Sequence, residues 1–229
     1  MLKKWDELPE KLKTEAVKPY YDNLKEKQGS LIIKRFFDIT VSLLMIILLS
    51  PIFIILAITI KFDSPGPVFF RQKRVTKYGR EFRIFKFRTM VNNAEKLGTQ
   101  VTVGNDSRIT RVGSFIRNCR LDEIPQLFNI LLGDMSFVGT RPEVPKYVEH
   151  YTDEMMATLL MPAGVTSQAS IKYKDEAELL EKSEDADETY VNDILPAKMK
   201  YNLHDIEHFS LSAELKTMFQ TVGAVLGRD

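Results

Sequence analysis

The sequence predicts an α+β protein, mostly helical, built around one membrane-embedded segment and carrying a small β-hairpin. Three observations predict it. A run of 22 residues from Ile39 to Ile60 has no charge. Two short β-favouring stretches flank a loop at Gly79. Apolar residues recur at helical spacing between Ser107 and Met135, and again from His208 to Leu226.

Residues 1–33 form a polar preface in which Lys and Glu interleave, with partly helical character. Because the first 30 residues are charged and lack an apolar stretch, no signal peptide is expected there. Residues 34–62 form the membrane unit. A hydrocarbon core of about 30 Å needs about 20 apolar residues, and the run ITVSLLMIILLSPIFIILAITI supplies them. Ser50-Pro51 lies at its middle. Proline inside a helix removes a hydrogen bond and clashes with the preceding turn. Lys34 and Arg35 precede the run, and Lys61, Arg71, Lys73 and Arg74 follow it, so both ends carry the positive charge of a cytoplasmic flank. Each half, at about 16 Å of helix, reaches mid-bilayer. A kinked spanning helix and a helix that enters and leaves through one face both remain open.

Residues 63–229 form the cytosolic domain. Ser64-Pro65-Gly66-Pro67 is a turn cluster. Val68–Arg74 and Phe82–Arg88 read as the two arms of the hairpin. On the second arm Phe82, Ile84, Lys86 and Arg88 share a face, and its two cations suit lipid headgroups or an anionic substrate. Ile109, Val112, Phe115 and Ile116 mark one helix, and Ile124, Leu127, Phe128 and Leu131 a second. Their apolar faces belong in a core or along the bilayer surface. Pro125 fits a first helical turn. Asp122 and Glu123 therefore fall at a helix N-terminus, where a cap is the simplest role and the dipole favours ionised carboxylates. Arg141, held in the turn Gly139-Thr140-Arg141-Pro142-Glu143, suits phosphate contacts or a salt bridge. The acidic run Asp175–Glu188 reads as a solvated helix face. His204 and His208 stand four apart without a third ligand and read as surface residues.

Composition excludes some classes. A net charge of +1 argues against a nucleic-acid partner. Cys119 is the only cysteine, which rules out an internal disulfide, and with three histidines it falls short of a zinc site.

Five motifs in order, KRFFD, the Ser-Pro of the apolar run, SPGPVFFRQKRV, FKFRTM and LDEIPQLFNILLGDMSFVGTRP, resemble the bacterial sugar transferases of the monotopic phosphoglycosyl transferase family. The likeness runs from Lys34 to the C-terminus, and the stretch Leu121–Pro142 is its most specific part. The resemblance implies a re-entrant membrane helix broken at Ser50-Pro51, surface-lying amphipathic helices, and a monotopic location on the cytoplasmic face of the bacterial inner membrane. It implies transfer of a sugar 1-phosphate from a UDP-sugar to polyprenyl phosphate with release of UMP, at the start of capsule, exopolysaccharide or glycoprotein glycan assembly. Asp122 and Glu123 are then the catalytic pair, with Asp122 as nucleophile through a covalent aspartyl intermediate and beside the Mg²⁺ cofactor. Lys86, Arg117 and Arg141 match basic residues lining the family's site. A homodimer is compatible with this picture, as is a catalytically silent membrane-anchored scaffold. The sequence departs from the family at two places. Thr140-Arg141-Pro142 stands where many members have Pro-Arg-Pro. The stretch MPAGVTSQASIKYKDE replaces a run usually containing a cation and a tryptophan, so the sugar is not readable.

Overall fold

A computed structural model describes residues 2–92, 94, 106–181, 183 and 185–227. The preface is woven into the body. Two short 3₁₀ turns, Trp5–Glu7 and Glu10–Leu12, lead into helix α1, Lys18–Glu26. Leu2, Leu8, Leu12, Val17, Tyr21 and Leu24 are buried against Leu159, Leu160, Met161, Ile206 and Phe209. Polar contacts tie the same segment down. Asn23 donates to the Ile206 carbonyl, and the Tyr78 hydroxyl at the hairpin tip accepts from the Lys3 amide.

Helix α2 spans Gln28–Asp63 and so begins before the expected boundary at Lys34. It is long and apolar enough to cross a membrane. Pro51 lies inside it, and α2 is assigned as one helical element rather than two. The expected break is therefore a local loss of hydrogen bonding. Pro51 has no N–H for the Ile47 carbonyl, four residues back. The Ser50 hydroxyl donates to that carbonyl instead, at 2.8 Å, so the orphaned oxygen is satisfied without water.

One stripe of α2 touches the rest of the protein along its whole length. Lys34, Asp38, Ser42, Leu56 and Ile60 are buried. Met45, Ile46 and Leu49 pack on one apolar cluster of the body, and Phe53 on another. The remaining faces, including Ile33, Phe36, Leu44, Leu48, Ile54, Ile55 and Phe62, are exposed. At its base the Lys34 ammonium donates to the Val138 carbonyl and pairs with Glu214 at 2.7 Å.

Strands β1, Phe69–Val75, and β2, Glu81–Phe87, form the expected antiparallel hairpin, shifted by a residue at most of its ends. Helix α3, Arg111–Asn118, is followed by the 3₁₀ turn Leu121–Glu123 and by helix α4, Gln126–Leu132, with Pro125 at its N-cap. Strand β3, Met135–Val138, pairs in parallel with β4, Ala163–Thr166, a sheet the sequence reading did not include. The short helix α5, Pro145–Val148, precedes β4, and α6, Gln168–Lys172, follows it. Next come α7, Glu176–Glu181, α8, Ala186–Thr189, and a π-helical turn Tyr190–Ile194. Helices α9, Leu195–Glu207, and α10, Leu211–Leu226, close the chain. His208 ends α9 rather than starting the last helix. His204 and His208 are exposed and stack on each other. The acidic run is split between α7 and α8, with Lys182 and Glu184 outside the described residues.

Two glycines set close approaches. A Cβ on Gly164 would stand 2.2 Å from the Gly139 nitrogen, where the second sheet enters the Arg141 turn. A Cβ on Gly113 would stand 2.0 Å from the Thr89 carbonyl oxygen, so α3 packs against the chain just after β2 only without a side chain there. Gly113→Ala is expected to lower the melting temperature in thermal unfolding, because backbone on both sides has to separate. Leu24→Ala, in the core of the preface, is expected to cost about 2–5 kcal/mol of stability in denaturant unfolding.

Candidate active site

The strand face whose two cations suited lipid headgroups or an anionic substrate turns inward. Phe82 and Ile84 enter an apolar cluster with Leu127, Ile130 and Met135. Asn129 of α4 fixes β2 from the side, accepting from the Phe85 amide at 2.8 Å and donating to the Arg83 carbonyl at 3.1 Å. Arg88 reaches back to the end of α2, donating to the carbonyls of Pro65 at 2.6 Å and Ser64 at 2.7 Å. It caps the negative end of that helix.

Lys86, between these anchors, points at the turn that carries the two carboxylates. Its ammonium donates to Glu123 Oε1 at 2.8 Å. Arg141 donates to the same oxygen at 2.6 Å. One carboxylate oxygen thus joins the hairpin, the 3₁₀ turn before α4 and the turn after β3. The Arg141 turn is held from behind by β1. The Val75 amide donates to the Glu143 carbonyl at 2.9 Å, and Arg74 donates to the Pro142 carbonyl at 3.0 Å. Glu143 is buried and accepts from the Tyr190 hydroxyl.

The two carboxyls differ in their protonation. Burial alone would push Glu123 up, but the charges and hydrogen bonds of Arg141 and Lys86 outweigh it and hold the carboxyl well below its usual range. Asp122 behaves oppositely. Burial raises it, the Glu123 charge adds to the rise, and Lys86 and Arg117 offset only part of it. The helix-dipole effect expected to favour an ionised Asp122 is thus opposed by burial. The turn is 3₁₀ and α4 begins only at Gln126, so no long helix stands behind the carboxyl. Burial pushes Lys86 down and Arg141 adds to that fall, while Glu123 counters it.

The structure brings Asp122, Glu123, Lys86 and Arg141 together, and Arg117 acts on Asp122 through its charge. Ser50 and Pro51 lie in α2 and belong to the membrane helix rather than to this centre. Arg74 was read only as flanking positive charge. Its role in holding the Arg141 turn depends on a partner far along the chain, which no local pattern announces.

Among the described residues, no three His, Cys, Asp or Glu side chains converge as a protein-only metal cage. The donor chemistry nevertheless suits magnesium, which is commonly held by one or two carboxylates together with substrate phosphates.

Glu123 also yields a stability prediction. Its depressed carboxyl contributes stability that is present above its unfolded value and lost as pH falls through the folded one. Lys86→Met removes one of its two cations and raises the folded value. Acid-induced loss of thermal stability should therefore begin at higher pH in this variant than in the unaltered chain.

The profile described as bacterial sugar transferase matches residues 29–228. A UDP-N-acetylgalactosamine-undecaprenyl-phosphate N-acetylgalactosaminephosphotransferase of Aeromonas hydrophila is 38% identical over 216 residues, covering 90% of this chain and 48% of that protein. A UDP-glucose:undecaprenyl-phosphate glucose-1-phosphate transferase of Klebsiella pneumoniae is 38% identical over 199 residues, covering 84% of this chain and 40% of its own length. The exopolysaccharide production protein ExoY of Sinorhizobium fredii is 31% identical over 207 residues, covering 84% of each. The chain therefore spans less than half of the first two relatives and most of the third. With the profile matched from α2 through α10 and the carboxylate turn, hairpin and Arg141 turn meeting at one oxygen, the chain belongs to the bacterial sugar transferase family.

Proposed function

We propose that the chain transfers a sugar 1-phosphate from a UDP-sugar to polyprenyl phosphate at the cytoplasmic face of the bacterial inner membrane. The observation that carries this reading is the pairing of two unlike carboxyls. Glu123 is locked by two cations, while its neighbour Asp122 is half-buried, raised in pKa and makes no ion pair among the described residues. The substrate classes follow the names of the relatives, which act on UDP-sugars and undecaprenyl phosphate.

In the proposed reaction the Asp122 carboxylate attacks the β-phosphorus of the donor. The bond from that phosphorus to the bridging oxygen breaks, and UMP leaves with the oxygen. An oxygen of polyprenyl phosphate then attacks the same phosphorus, releasing Asp122 and forming the lipid diphosphate sugar. A carboxylate nucleophile divides the transfer into two steps. Lys86, Arg117 and Arg141 offset the charge of two anionic substrates approaching an anionic nucleophile. Glu123 holds Lys86 and Arg141 in place. Asp122 would hold a magnesium ion, which would supply further charge neutralisation there.

For topology, the contacts of α2 favour a re-entrant, monotopic arrangement. Lys34 near one end and Ile60 near the other both pack on the same body, and a crossing helix would put those ends on opposite sides of the bilayer.

Purified protein, Mg²⁺, polyprenyl phosphate and a panel of UDP-sugars test the reaction. UMP release from at least one sugar is expected, with a loss of about a thousandfold or more in Asp122→Asn. Failure of every sugar would instead support a membrane-anchored scaffold. Because Asp122 must ionise to attack and its pKa is raised, the acid limb of kcat/KM should lie above the ordinary aspartate value of about 4. A limb at or below that value would contradict the assignment. Tags at residues 1 and 229 should both be protected in sealed right-side-out cells. Labelling of the first alone would defeat the re-entrant arrangement.

A further inference from the structure

The surface beside the proposed nucleophile carries a run of cations. From Ser107 to Leu121 the chain has Arg108, Arg111, Arg117 and Arg120 and no carboxylate. Arg108 is paired with Asp106, and Arg117 acts on Asp122. Arg111 and Arg120 are exposed. Val112 and Ile116 of α3 pack with Leu56 and Ile60 of α2, so the other side of α3 is turned outward beside the apolar surface of α2. Arg111, Phe115 and Asn118 share that outer face at helical spacing, and Phe115 is 61% exposed. The apolar surface continues on α2 through Ile55, Ile58 and Phe62. An exposed aromatic ring among arginines, next to a lipid-compatible helix, suits the headgroup layer of a bilayer.

Arg120 ends this run, two residues before Asp122. Its backbone is left-handed, with φ of 56°, a conformation that glycine adopts with less strain. The backbone therefore does not call for arginine, and the side chain lies at the surface. Arg120 is not among the principal charges acting on Asp122 or Glu123. It is a cation placed beside the centre and not used to hold it.

We propose that Arg120, with Arg111 on the adjoining face of α3, is the landing site for the phosphate of the lipid acceptor. Resting on the reading that Asp122 carries the transferred group, this separates the two substrates. Lys86, Arg117 and Arg141 serve the donor, whereas Arg120 and Arg111 receive a phosphate arriving from the bilayer with its chain beside Phe115 and α2. Charge complementarity and continuity with the apolar face of α2 favour a lipid phosphate over a soluble one.

The full chain in phosphatidylcholine nanodiscs, with polyprenyl phosphate added, tests this through Arg120→Gln, Arg120→Gly, Arg120→Lys and Arg111→Gln. Two rates separate the half-reactions: the burst of UMP from donor alone, and KM for polyprenyl phosphate in turnover. Arg120→Gln and Arg120→Gly should each raise KM for the lipid about tenfold, the loss of one charge-assisted contact, while the burst is kept. Arg111→Gln should raise it less, and Arg120→Lys should restore most of it. Wild-type behaviour of Arg120→Gly would reduce Arg120 to a backbone role and overturn the proposal. A burst that falls in step with turnover would overturn it too, by placing Arg120 with the donor. Binding to phosphatidylglycerol vesicles lacking polyprenyl phosphate gives the third readout. If the rise in KM vanishes once rates are normalised to bound enzyme, the arginines are a general membrane contact and the proposal fails. An unaltered chain with no burst at all would fault the underlying reaction instead.

Discussion

Glu123 Oε1 is the point on which the site depends. A single carboxylate oxygen accepts from Lys86 at 2.8 Å and from Arg141 at 2.6 Å, so three segments distant in sequence are fixed by one atom. The surrounding contacts make this possible. Asn129 holds the hairpin arm that carries Lys86, and Arg74 with the Val75 amide holds the turn that carries Arg141. The Thr76 hydroxyl then joins the hairpin to the second sheet, donating to the Asp134 carbonyl while accepting from the Ala163 amide. Two cations on one half-buried carboxylate are a poor source of stability and a good source of unique geometry. Asp122 is adjacent in the chain and inherits that geometry without spending its own charge on it.

The long apolar helix α2 is joined to this centre by reciprocal capping. Arg88, two residues after Lys86, closes the carboxyl end of α2, while Arg35 near the start of α2 closes α4 by donating to the Ile130 and Leu131 carbonyls. Each arginine satisfies carbonyls that a helix leaves open at its end. Because α4 follows the carboxylate turn directly, the position of α2 and the position of Asp122 are mechanically linked.

Much of this was legible in the residues. The uncharged run with its Ser-Pro, the hairpin around Gly79 and the two helices on either side of Asp122-Glu123 appear within a residue or a few of their expected bounds, because each rests on local periodicity or turn chemistry. What was not legible rests on long-range pairing. The parallel pair of β3 and β4 joins two four-residue strands, too short to show an alternation. The direction of Arg88 depends on where α2 ends in space. The upward shift of Asp122 comes first from burial, which no local pattern announces. In the stretch after Met161, Ala163, Gly164 and Thr166 pair with β3.

The preface has a consequence for how this family's modules are exchanged. The family match begins at residue 29, yet the six buried apolar side chains between Leu2 and Leu24 complete a core that includes Met161, Ile206 and Phe209. A chimera cut at the family boundary would strip one wall from that core and expose its apolar surface to solvent. Portability therefore follows the packing, not the profile: the transferable unit of this chain includes the segment ahead of α2.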